Sequence, residues 1–113
     1  MSDCLFCRIV AGEIPADVVR RGDRTLAFRD IAPQAPVHVL VVPRVHHDDV
    51  TSLQLDPDLL HEVVAEAAAV AEQEGLSAAG WRLLFNTGAD AGQTVFHVHA
   101  HVLGGEPLGA LRG

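Results

Sequence analysis

The sequence predicts an α+β domain, with an antiparallel sheet of about five strands, one long helix and one short N-terminal helix. Three observations carry that expectation. A run over 94–103 places His97, His99 and His101 at every second position, between Phe96, Val98, Ala100 and Val102, which is the side-chain period of a strand. Gly22-Asp23 separates two short apolar runs in the manner of a hairpin turn. The stretch opening at Asp56-Pro57 repeats apolar residues at helical spacing.

The elements follow in order. Residues 4–11 suit a short helix stopped by Gly12, with Pro15 beyond it. Strands are expected at 18–21 and 25–29, on either side of the hairpin turn, and a third at 37–42, ended by Pro43 after a loop over 31–36. Asp56 is a good N-cap and Pro57 suits the first helical position. The stripe of that helix is Leu60, Val63, Val64, Ala67, Val70 and Ala71, and Gly75 marks its end. A fourth strand is expected at 81–85, then a glycine-containing loop over 86–92, then the histidine strand. One sheet face would pack on the long helix. The histidine face would stay open or be covered by a partner.

The 113 residues suit one domain spanning the whole chain, small enough that assembly could help stabilise it. With 49% hydrophobic residues, disorder is not expected. A net charge of −7 argues against a nucleic-acid polymer as partner, since such partners need clustered Lys and Arg. A single nucleotide stays open, because amides, hydroxyls and imidazoles can hold one locally. The longest apolar candidate, 37–42, is interrupted by His38, so no membrane span is expected. The N-terminus, Met1-Ser2-Asp3-Cys4, lacks a basic region followed by an apolar one, so no secretory signal is read and a cytoplasmic location is expected. Cys4 and Cys7 form Cys-x-x-Cys, in a cytoplasmic protein more often a metal clip or redox site than a disulfide framework.

Chemistry concentrates at the imidazole row. Neutral imidazole is both a nucleophile and a metal ligand. Three neutral imidazoles can hold zinc with a position open for water. Alternatively, one ring attacks phosphorus while its neighbours orient it and bind oxygens. Spacing alone does not decide between these. The preceding loop, Asn86 to Thr94, offers mainly amides, hydroxyls and glycine backbone, and this favours phosphorus. His61, on the long helix, has no companion and receives no role.

The segment Gly92-Gln93-Thr94-Val95-Phe96-His97-Val98-His99-Ala100-His101-Val102-Leu103-Gly104-Gly105 resembles the signature of the histidine triad (HIT) superfamily. It is most similar to its branch of nucleoside phosphoramidases, the HINT proteins. Glu13-Ile14-Pro15-Ala16, the run from Leu26 to His38, and Val41-Val42-Pro43-Arg44 are similar to that branch as well. The resemblance implies a HIT-like fold and hydrolysis of purine nucleoside 5′-phosphoramidates or related conjugates through a nucleotidyl-histidine, releasing AMP or GMP. It implies that His99 is the nucleophile on the α-phosphate and that His101 donates to a phosphate oxygen. His97, the first of the triad, is expected among the catalytic residues with them, and His38 is the fourth histidine supporting the row. Asn86, Gly92, Gln93 and Thr94 would lie at the phosphate or leaving group. Asp30 would accept from the ribose hydroxyls, and Phe6, Phe28 and Ile31 would enclose the base. A homodimer with a sheet continued across the subunit interface is implied too.

Two departures stand out. Cys4 and Cys7 resemble the clip of those superfamily members that carry a structural zinc, with His46 and His97 as the matching histidines and His47 as an adjacent alternative; no cofactor is expected for catalysis itself. Glu106 to Gly113 has no aromatic residue, where phosphoramidases of this type commonly end in an aromatic tail that shapes the partner's site. Other readings are a dinucleoside polyphosphate hydrolase, a nucleotide-binding regulatory module, and a metal sensor or metallohydrolase using the imidazole row directly.

Overall fold

The computed structural model describes residues 3–111. Met1 and Ser2, part of the N-terminus read for a leader, and Arg112 and Gly113, at the end of the tail, lie outside the described residues. Five strands form one antiparallel sheet: β1 (Val18–Arg21), β2 (Thr25–Arg29), β3 (Val37–Pro43), β4 (Trp81–Leu84) and β5 (Ala100–Gly104), in the order β1-β2-β3-β5-β4. The helices are α1 (Leu5–Val10), the single turn α2 (Val50–Leu53) and the long α3 (Pro57–Gln73).

Both faces of the sheet are apolar at its centre. Val39 and Val41 of β3 pair with Val102 and Ala100 of β5, and this face packs on Leu59, Val63, Ala67, Val70 and Ala71 of α3. Leu26, Phe28, Leu40 and Val42 point the other way and pack on Phe6 of α1. The histidine face is therefore partly roofed by α1 and is not simply open. Ion pairs tie α3 and its C-cap to the first hairpin: Arg20 to Glu66 at 2.6 Å, Arg24 of the turn to Glu62 at 2.7 Å, and Arg29 to Glu74, just past α3, at 2.7 Å.

Three expectations need correction. The strand expected over 94–103 begins only at Ala100. Continuing the ladder would pair Val98 with Pro43, which has no N–H to give. Instead Val98 N–H donates to the His47 carbonyl at 2.7 Å, and the chain leaves the sheet. Phe96, expected in the core, is consequently exposed, whereas Val98, Ala100 and Val102 are buried as expected. The stripe of α3 is rotated: Leu59 and Glu66 are buried, Leu60 is half-buried and Val64 is exposed. Pairing with Arg20 makes burial of the Glu66 carboxylate tolerable. Finally, α2 was not expected; Asp49 caps it by accepting from Ser52 N–H at 3.0 Å, and its Leu53 is fully buried.

Candidate active site

β3 carries His38 on the same face as Leu40, and β5 sets His101 directly opposite Leu40. This register brings the two rings together. His38 Nδ1 accepts from Gln34 N–H at 3.0 Å, which puts the proton of the neutral ring on Nε2. That Nε2–H donates to His101 Nδ1 at 2.9 Å, so His101 in turn carries its proton on Nε2. Burial depresses the proton affinity of both rings, and that of His101 falls to about 4. At neutral pH the chain therefore delivers one N–H donor, His101 Nε2. A contact of 3.5 Å from the Asn86 amide to that nitrogen is too long to reassign the proton.

His99 lies just before β5, where the chain has left the ladder. Its Nδ1 lies 2.8 Å from the His97 carbonyl, to which it donates. Nε2 is then the unprotonated nitrogen. Burial also lowers the proton affinity of His99, against the opposing effects of the His97 carbonyl and the Asp30 carboxylate. Phe6 packs edge-on against His99, with ring centroids 5.0 Å apart, and against Phe28 at 5.4 Å.

A cavity of about 400 Å³ opens beside these rings, lined by His99 and His101, by Phe6 and Phe28, and by Asp30 and Thr94 among others. Gly92 and Ile31 also border it, Ile31 from a fully exposed position. Asp30 holds the turn before β3 by accepting from Ala32 N–H at 2.8 Å through Oδ1, and its Oδ2 lies 3.5 Å from His38 Nε2. Gln93 is different: its amide donates to the Asp48 and Val95 carbonyls and accepts from Gly88 N–H, so it braces the loop from a buried position. The cavity also takes in Leu5, Ile9, Ile14, Leu40 and Val95, which sequence reasoning did not assign. The signals were present. Leu5 and Ile9 are four apart on α1, and Leu40 shares the strand face of His38.

His97 departs from the row. Its ring is fully buried and turned away: Nε2 donates to the Pro43 carbonyl at 2.8 Å, and Nδ1 lies 3.4 Å from both Cys4 Sγ and Cys7 Sγ. Neither nitrogen is left for the cavity. Three rings projecting from one strand face, as the alternation suggested, do not occur because residues 97 and 99 precede the strand.

The Cys4, Cys7, His46 and His97 donor atoms all lie within 4.8 Å of one another. His46 Nδ1 is 3.4 Å from Cys7 Sγ, and its Nε2 donates to Asp48 Oδ1 at 2.7 Å. Both imidazoles thus turn an unprotonated Nδ1 inward and anchor the other nitrogen on oxygen, as metal-binding histidines do. Zinc at about 2.3 Å from sulfur and 2.0–2.1 Å from nitrogen gives tetrahedral S···N edges of about 3.5 Å. The donor set fits that ion. His47, the adjacent alternative, instead pairs Nδ1 with Ser52 Oγ at 2.9 Å. Asp30, His38 and His101 also group their donor atoms. There, however, the 2.9 Å separation of the two ring nitrogens holds a shared proton, which argues against the imidazole row as a metallohydrolase site.

The sequence matches the HIT domain over residues 11–108. The chain belongs to the HIT family. It is 42% identical over 110 residues to the purine nucleoside phosphoramidase of Escherichia coli strain K12, covering 96% of this chain and 92% of that protein. It is equally 42% identical over 110 residues to a 14 kDa zinc-binding protein of Brassica juncea, covering 94% and 96% respectively. A solved histidine triad protein from Clostridium difficile superposes with a TM-score of 0.93 at 38% identity, over 99% of this chain and 98% of that one. The five-stranded antiparallel sheet with its long helix is thus the HIT fold.

Proposed function

We propose that this HIT protein is a nucleotide hydrolase that cleaves purine nucleoside 5′-phosphoramidates or related conjugates at the α-phosphate through a covalent nucleotidyl-His99. The observation that carries this reading is the pairing of His99 Nδ1–H with the His97 carbonyl, which leaves Nε2 unprotonated beside a nucleotide-sized cavity. Attack by Nε2 forms a P–N bond and expels the leaving group. The ring then bears positive charge, which the His97 carbonyl and the Asp30 carboxylate favour. His101 Nε2–H donates to a phosphoryl oxygen, held in that tautomer by the relay from Gln34 through His38. Water then cleaves the P–N bond and releases the 5′-monophosphate. Splitting the displacement in two lowers each barrier. Phe6, Phe28 and Ile31 take the base, and Asp30 takes the ribose. Thr94 and Gly92 lie at the phosphate, with Asn86 behind His101.

The same reading gives His97 to the Cys4–Cys7–His46 cluster and not to the chemistry. A zinc ion there is structural, closed by four protein ligands, and pins α1 to the loop before β5. The protein acts as a cytoplasmic homodimer, where the reducing environment keeps the two thiols available to a metal. The name of the E. coli relative supports the substrate class, and that of the Brassica protein supports the ion. Parallel assay of an adenosine 5′-phosphoramidate and a diadenosine polyphosphate tests the reading. The phosphoramidate is expected to turn over faster by kcat/KM, and the reverse order would favour a dinucleoside polyphosphate hydrolase.

A further inference from the structure

One residue belongs to both sites. Through its side chain His97 joins the cysteine cluster, with Nδ1 3.4 Å from both sulfurs. Through its carbonyl it holds His99 Nδ1 at 2.8 Å. The sheet ladder begins only at Ala100, so the peptide that carries this carbonyl is otherwise held at its own N–H end, where Val98 N–H donates at 2.7 Å to the carbonyl of His47, the neighbour of His46. The position of the His97 carbonyl therefore depends on where the His97 ring and the 46–47 segment are anchored, and both lead to the cysteine cluster. Phe6 adds a second tie. It lies two residues after Cys4 on α1, its ring centroid is 6.0 Å from that of His97 and 5.0 Å from that of His99, and it walls the cavity.

We propose that His97 is a positioning residue through which occupancy of the Cys4–Cys7–His46–His97 site sets the tautomer and placement of His99. A metal at Nδ1 fixes the ring, the ring fixes the backbone, and the carbonyl keeps the His99 proton on Nδ1. Without an ion the His97 ring keeps its Nε2 bond to the Pro43 carbonyl but loses its anchor at Nδ1, and the His97 carbonyl is held less firmly against its partner. A neutral His99 that loses this acceptor places its proton on Nε2 for part of the time, and that form has no lone pair on Nε2 to offer phosphorus. The metal thereby governs competence without touching substrate.

This inference rests on His99 being the nucleophile, and the test separates the two claims. The full chain is compared zinc-loaded and chelator-stripped, together with His46→Ala, which removes the most exposed ligand, and His46→Cys, which keeps four ligands. Metal content, circular dichroism, the ¹⁵N signature of the His99 tautomer, and the single-turnover rate of adduct formation with an adenosine 5′-phosphoramidate are measured on each. The stripped chain and His46→Ala are expected to stay folded, to show mixed His99 tautomers, and to form adduct about ten- to hundredfold more slowly. Zinc should restore the stripped chain, and His46→Cys should behave like the parent. A folded, metal-free chain with an unchanged tautomer and rate would overturn the coupling alone. Unfolding of both the stripped chain and His46→Ala, in step with lost turnover, would also overturn it and leave the cluster a staple of the fold. No adduct in the zinc-loaded chain would overturn the functional reading itself.

Discussion

Lowering the pH acts on the site through His101, whose proton affinity burial pushes down to about 4. Protonating its Nδ1 removes the acceptor for His38 Nε2–H and breaks the relay that aims the donor at phosphate. Turnover should hold through the range where an ordinary histidine, near 6.5, titrates, and fall as the pH approaches 4. Stability follows the same sign. Between those values the unfolded chain binds the proton and the folded chain does not, so this residue's contribution is present above about 6.5 and is lost as the pH falls toward 4. A pH–rate profile beside acid-unfolding curves checks both. Loss of turnover centred at the ordinary histidine value, with the fold intact, would contradict the relay.

At the scale of elements, the rotation of α3 is open to a stability measurement. Leu59 is almost fully buried against the sheet, whereas Val64 is 38% exposed. Leu59→Ala should cost about 2–5 kcal/mol in denaturant unfolding. Val64→Ala should stay within about 0.5 kcal/mol. The sequence placed Leu60 and Val64 on the buried stripe because it counted apolar residues alone. It could not weigh Glu66, whose burial depends on Arg20, a partner 46 positions away. The strand bounds were legible where hydrophobic runs met Gly or Pro, as at Gly22 and Pro43. The alternation through 94–103 was read as strand throughout because period two is a strand signal. The competing pull of Pro43 and the His47 carbonyl on Val98 is tertiary and leaves no local trace. Of the residues singled out for the site, His99, His101, Asp30, Phe6 and Phe28 line one cavity, and His38 reaches it only through its bond to His101. Gln93 and His97 were assigned by their place in the signature, and only the fold shows that their polar atoms are engaged elsewhere.

For the whole molecule, the sheet ends in two edge strands, β1 and β4. A second copy continuing the sheet across one of them is the assembly proposed above, and such an edge is a ready template for pairing. Sedimentation equilibrium should return twice the 12.0 kDa of one chain at micromolar concentration. A monomer that keeps full turnover would contradict the dimer without touching the chemistry. The central claim concerns where phosphorus is carried. Enzyme quenched during turnover of an adenosine 5′-phosphoramidate, digested and mapped by mass spectrometry, should carry a nucleotidyl group on the peptide containing His99, and the His99→Ala variant should carry none and turn over about 10³-fold or more slowly. A nucleotide on another residue, or an adduct that survives His99→Ala, would contradict the account.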